Sequence, residues 1–219
     1  MKLIISFINN VLNLICPNVC GICNRLCKDD LCKKCETNLN KIAKFKVDYY
    51  SNKHFKKHFY IFKYQGIIKE KLIDFKFNEK SYVYKAFVNF MLKNKKFYDF
   101  LKSYDIIIPV PIHNNRKLKR GYNQSSLIAK ELAYSLDILY KDNVLIKKIN
   151  NKPQSTKNKD ERKNNVIGVY TIKSVEQIIN KKVLILDDIY TTGSTVNECA
   201  MALKENGAKC VDVITIAKD

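Results

Sequence analysis

No apolar run in this 219-residue chain reaches the ~18 residues that a membrane-spanning helix requires. A helical membrane protein is thereby excluded. The N-terminus has one lysine and an apolar stretch, as a secretory leader would. Asn9, Asn10 and Asn13 interrupt the apolar stretch of Met1–Ile15, and Ile15 precedes Cys16 where lipoprotein cleavage wants a small residue. Leu3, Phe7, Val11 and Leu14 instead have amphipathic-helix spacing. The expectation is a cytoplasmic protein, with a secreted lipoprotein as the competing reading. No Gly-Lys-Ser/Thr ending follows any glycine loop, which excludes an ATP-type P-loop. No internal repeat is present. Acidic residues are scarce: 21 Asp and Glu stand against 40 Lys and Arg, a net charge of +19. Lysine is spread over the whole length, so no single basic tail accounts for the excess. Either an AT-rich genome sets this composition, or the chain meets polyanions such as nucleic acid or a diphosphate.

What is present centres on residues 183–195. Val183-Leu184-Ile185-Leu186 reads as a strand buried on both faces. Asp187 and Asp188 stand at its end, followed by Ile189-Tyr190-Thr191-Thr192-Gly193-Ser194-Thr195. Helical spacing then takes over at Val196, Cys199, Ala200 and Leu203, with Thr195-x-x-Glu198 as a capping box and Asn206-Gly207 as a stop. A strand, a glycine loop and a helix N-terminus aim several backbone N–H groups at one point, where a phosphate monoester fits. Two carboxylates beside it suit a ligand that also carries hydroxyls or a divalent metal. An ordinary buried strand with a capped helix is the plain alternative. The run resembles the 5-phosphoribosyl diphosphate (PRPP) signature of type I phosphoribosyltransferases. The resemblance implies that Asp187 and Asp188 hold the ribose hydroxyls and oppose an oxocarbenium-like charge. It implies that Thr191, Thr192, Gly193, Ser194 and Thr195 hold the 5′-phosphate.

Six of eight cysteines fall between positions 16 and 35. Cys20-x-x-Cys23 and Cys32-x-x-Cys35 form two knuckles whose thiolates can close a tetrahedral shell around Zn²⁺. Disulfides are the alternative, and Cys16 or Cys27 could replace a ligand. Too few apolar residues surround the knuckles for them to fold without metal. Residues 45–64 interleave bases with aromatics, and Lys53, Phe55, Lys56 and Lys57 are candidates for binding single-stranded nucleic acid. A strand with its rings in the core and its lysines in water explains the same pattern. His54 and His58 have no acid beside them, so no metal is expected there.

Ile68, Leu72 and Phe75 predict a helix over 66–76, and Val83, Phe87, Phe90 and Met91 one over 81–92. Asp105–Pro111 reads as a buried strand ended by prolines. The basic loop His113–Gly121 follows it, where Arg116 and Arg120 suit bidentate contacts to a diphosphate. Tyr122-Asn123-Gln124 opens a helix carrying Ile128, Leu132 and Leu136. Residues 150–165 are polar apart from Pro153 and read as a lid or a linker. Strands are expected over 166–172 and 211–216.

In order along the chain stand the two knuckles, Pro-Val-Pro-Ile-His, Arg-Gly-Tyr-Asn-Gln and Asp-Asp-Ile-Tyr-Thr-Thr-Gly-Ser-Thr. Together they resemble the ComF family from Cys20 to Lys218. The resemblance implies an α/β, Rossmann-like type I phosphoribosyltransferase fold with a small N-terminal four-cysteine zinc-finger module. It also implies that Gln154 and Arg162 occupy family positions, the latter at PRPP. Residues 1–45 would form the N-terminal helix and finger, and 46–219 the phosphoribosyltransferase-like domain. Structural Zn²⁺, Mg²⁺ carried with PRPP, and single-stranded DNA arriving in natural transformation are the implied ligands. A helicase of the uptake machinery is the implied partner. No general base is evident, in keeping with a reaction driven by its leaving group. A salvage phosphoribosyltransferase acting on a free base is the alternative.

Overall fold

A computed structural model describes residues 18–148 and 168–219. The expected helix over Met1–Ile15, Cys16 and the 150–165 segment with Gln154 and Arg162 lie outside the described residues. From the cysteine turn the chain enters α1 (Lys33–Ile42), then β1 (Lys46–Tyr49) and β2 (Lys57–Lys63). Three helices follow: α2 (Gly66–Phe77), α3 (Val83–Lys93) and α4 (Lys95–Leu101). Then come β3 (Ile106–Pro109), α5 (Asn114–Arg120), α6 (Gln124–Leu136) and β4 (Leu139–Tyr140). A separate antiparallel ribbon joins β5 (Leu145–Lys147) to β6 (Tyr170–Ile172). The chain closes with β7 (Lys182–Tyr190), α7 (Ser194–Glu205) and β8 (Cys210–Lys218).

The main sheet has the order β1-β2-β8-β7-β3-β4. All its pairs are parallel except β1 with β2. Helices cover both faces, and for that reason the central strands read as continuous apolar runs. Successive side chains alternate between the two layers. Leu184 and Leu186 join a core with Phe87, Met91, Ile128 and Leu132, whereas Val183 and Ile185 pack with Val196, Cys199 and Leu203. Cys20, Leu31, Cys35 and Leu39 belong to the first core.

Three expectations need correction. β7 does not stop at Leu186 but continues through both acids to Tyr190, because β8 pairs with it as far as Tyr190↔Lys218. The basic 113–121 stretch is no loop. It forms α5, capped by His113 accepting from Asn115 N and ended by Gly121 at φ 83°. The strand expected over 166–172 is Tyr170–Ile172 among the described residues. No helix among the described residues is long and apolar enough to cross a membrane.

Ile185 is fully buried beneath α7. Truncation to Ala should cost about 2–5 kcal/mol of stability, read as a lower urea midpoint at unchanged slope. A loss under ~1 kcal/mol would mean that this face of the sheet is not closed.

Candidate functional site

The two crossovers diverge at the boundary between β3 and β7. β3 leads through α5 and α6 to β4 on one side, and β7 leads through α7 to β8 on the other. Open α/β sheets bind ligands at such a switch point, outside the carboxyl ends of the strands. A cavity of about 650 Å³ lies there, walled by Val110, Arg116, Arg120, Asp187, Asp188 and residues 191–195.

Gly193 precedes α7 with a φ of 74°, and a side chain there would run into the Tyr190 ring. Glycine satisfies both demands. Thr192 Oγ1 lies 3.0 Å from Ser194 Oγ and accepts from Ser194 N at 3.3 Å. Because the helix starts at Ser194, Thr195 is already its second residue. The expected Thr195–Glu198 capping box is therefore not the cap. The first N–H groups of α7 lack helical acceptors and border the cavity with the positive end of the helix dipole.

Both acids stand on β7 at the cavity wall. Asp187 Oδ1 accepts from Ser125 Oγ at 3.0 Å and from Asp188 N at 2.9 Å. Asp188 Oδ1 accepts from Ile189 N at 2.9 Å. Burial, and secondly the Asp188 charge, push the Asp187 carboxyl up to about 7, against the pull of Lys76 and these donors. Lys76, near the end of α2, places its Nζ 2.6 Å from Asp188 Oδ2. No hydrogen-bond donor among the described residues is well aligned on that buried oxygen, so the ammonium holds it by charge.

Arg116 and Arg120, which the sequence offers as diphosphate contacts, both line the cavity. Arg120 Nη1 donates to Gln124 Oε1 at 2.6 Å, and its guanidinium lies over the Phe77 ring at 5.4 Å. Lys147 of the β5–β6 ribbon joins them at the wall. Burial lowers its pKa, and the Arg116 charge adds to the effect. Sequence reasoning missed Lys76, Ser125 and Lys147. Lys76 and Lys147 come from segments without a local motif, Ser125 directly follows the Arg-Gly-Tyr-Asn-Gln run, and only the topology brings the three to the cavity. A serine directly inside the capped start of α6 was the one readable hint.

At the other end of the described chain, the Sγ atoms of Cys20, Cys23, Cys32 and Cys35 all lie within 4.8 Å of one another. Cys23 and Cys32 are 3.8 Å apart. This matches the edge of a tetrahedron whose centre is ~2.3 Å from each sulfur, the Zn–S distance. Burial opposes ionisation of Cys20, but backbone N–H groups of Cys32, Cys23 and Ile22 bring its thiol down to about 6. The four cysteines could hold a metal ion. Cys27 is outside the group and donates to the Asp29 carbonyl.

The basic-aromatic candidates fare differently. Phe55 is fully buried, with its ring edge-on to Tyr50 and Tyr190 at 5.2 and 6.5 Å. It offers no face to a nucleobase, which corrects that expectation. Lys56 N and Lys57 N bond to Val211 O and Asp212 Oδ1, and the Lys57 ammonium covers the Phe100 ring at 5.6 Å. Lys53 is half-buried, and none of the four residues lines the cavity. His58 is buried against Tyr190, and burial lowers its pKa to about 3.

A family model described as "Phosphoribosyl transferase domain" matches residues 123–219. Competence protein ComFC of Streptococcus pneumoniae is 30% identical over 72% of this chain and 66% of its own length. Competence protein F of Haemophilus influenzae is 31% identical over 54% of this chain and 52% of its own. DNA utilization protein YhgH of Salmonella typhi is 33% identical over 50% and 47%. The chain thus spans about half to two thirds of the length of these relatives. Cavity, acid pair, cysteine cluster and relatives agree that the chain belongs to the ComF family, with an α/β phosphoribosyltransferase fold and a four-cysteine cluster near its N-terminal side.

Proposed function

We propose that the cavity binds PRPP with Mg²⁺ and that the protein handles incoming single-stranded DNA in the cytoplasm during natural transformation. The observation that carries the PRPP reading is the acid pair of β7 sharing one cavity with the free N-terminus of α7 and two arginines. Residues 191–195 take the 5′-phosphate. Asp187 and Asp188 accept from the ribose hydroxyls and face any positive charge at C1. Arg116 and Arg120 face the diphosphate. Mg²⁺, held largely by the ligand and water, would neutralise charge on the leaving diphosphate. The relatives' names, competence and DNA utilization, support the DNA role, and a helicase of the uptake machinery is the partner that this role implies. Lys53, Lys56 and Lys57 are the cations we assign to the strand. Zn²⁺ in the four cysteines is structural, in a module that ends near residue 45. A second reading, transfer to a free nucleobase, draws on the exposed Phe77 ring at the cavity, which suits a planar acceptor.

Pyrophosphate release from PRPP and Mg²⁺ tests both readings. Asp187→Ala with Asp188→Ala should abolish PRPP binding, and unchanged affinity would remove the site assignment. Release with single-stranded DNA alone favours the first reading, and release with a free base the second. Metal analysis should find one zinc per chain, and an iron–sulfur absorbance would overturn the structural zinc. The pH dependence of stability has a defined sign. With its folded pKa near 7 and an ordinary value of 3.8, Asp187 holds a proton in the native state that the unfolded chain releases. Its contribution to stability is present below about pH 4 and is lost as pH rises through 7. Urea unfolding at pH 5 and pH 8 should show wild type losing stability relative to Asp187→Asn as pH rises. Parallel profiles would contradict the raised pKa.

A further inference from the structure

Lys76 lies in none of the motifs read from the sequence, yet the fold fixes it at the acid pair. Three of the four carboxylate oxygens there are already engaged. Asp187 Oδ1 is held by Ser125 and the Asp188 amide, Asp188 Oδ1 by the Ile189 amide, and Asp188 Oδ2 by Lys76. Burial alone would lower the Lys76 pKa, but Asp188, with Asp187 behind it, raises it, so the group stays an ammonium.

The lysine is also positioned from outside. The carbonyl of the preceding residue, Phe75, accepts from Tyr122 Oη at 2.5 Å and from Gln124 Nε2 at 3.4 Å. The Phe75 ring stacks on Tyr122 with centroids 5.6 Å apart. Gln124 is held in turn by Arg120. The last turn of α2 is therefore pinned to the cavity mouth, and the long lysine side chain starts from a fixed point. A surface lysine near an acid by chance has no such support.

We propose that Lys76 is the resident cation of the site and a specificity-determining residue, excluding free divalent metal from the acid pair so that metal arrives only together with the phosphorylated ribose. An ammonium and a metal ion both in contact with the buried Asp188 Oδ2 would stand within roughly 4 Å of each other, and their mutual repulsion opposes sharing that oxygen. A metal carried by the diphosphate and water does not need that oxygen. The inference rests on the reading of the cavity as a PRPP site.

The test is Mn²⁺ binding followed by the electron paramagnetic resonance signal of the free ion, at pH 8, with the cysteine site loaded. Without PRPP, wild type and Lys76→Arg should leave the Mn²⁺ signal nearly unchanged. Lys76→Met should bind Mn²⁺ at least ~10-fold more tightly. Adding Asp188→Asn to Lys76→Met should cancel that gain. Equal Mn²⁺ affinity of wild type and Lys76→Met would overturn the proposal, as would a gain that survives Asp188→Asn. Tyr122→Phe provides an independent variant if Lys76→Met fails to fold. Loss of the hydroxyl that pins Phe75 should raise Mn²⁺ affinity several-fold, and no change would count against the proposal. PRPP added to wild type separates the two claims. Failure of PRPP to draw in Mn²⁺ would sink the PRPP reading, while the comparison without PRPP still decides the role of Lys76.

Discussion

Two carboxylates side by side in the central strand of a buried sheet repel each other and resist desolvation, and the rest of the site is arranged to make that placement tolerable. One charge is met by Lys76 from α2. The other is met by a hydroxyl from the start of α6 and by the backbone of β7 itself. Neither Lys76 nor Ser125 is near β7 in sequence. The acid pair therefore depends on the helices of one sheet face being in place, and those helices depend on the Leu184–Leu186 layer beneath them. Binding geometry and folding are the same packing problem at this point.

The segment from Arg120 to Gln124 gains a physical explanation from this dependence. Arg120 and Gln124 join side chain to side chain, and Tyr122 and Gln124 hold the Phe75 carbonyl. Asn123 caps α6 through Ser125 N and donates to the Val110 carbonyl. In five residues the chain ties α5, α2, α6 and the end of β3 together around the cavity. Such a segment tolerates little change, because its side chains converge on fixed backbone partners, the Phe75 and Val110 carbonyls and Ser125 N.

Much of this was legible in the sequence. Four apolar residues before Asp187 read as a doubly buried strand, and the Thr-Thr-Gly-Ser-Thr run marked the helix start. Cysteine spacing picked out the same four residues that the fold brings together. These signals are local, carried by periodicity or spacing over a dozen residues. The failures have physical causes. β7 extends to Tyr190 because β8 supplies hydrogen-bonding partners that no local propensity reports. The basic stretch 114–120 is helical because His113 and Gly121 cap it, whereas charge density alone suggested a loop. Phe55 looked like a stacking platform because exposure is not written in composition. In the fold it fills the layer between Tyr50 and Tyr190.

The cysteine cluster and the acid pair are far apart in sequence but adjoin one helical layer. Gly21, inside the first knuckle, sits so close to α3 that an added Cβ would meet Ala86 Cβ at 2.8 Å. Glu36 of α1 pairs with Lys93 at the other end of α3. α3 packs on α6, and α6 delivers Ser125 to Asp187. Cys20, Ile22, Leu31 and Cys35 are themselves part of this core, so a metal held by the cysteines would stabilise more than its own loop. The same layer carries α2 and therefore Lys76. A cation at the cysteines would then brace, together with the Lys76 ammonium at the carboxylates, one set of helices from its two ends. That arrangement gives a physical reason for a phosphoribosyltransferase-like sheet to keep a cysteine module packed into its core instead of tethered beside it.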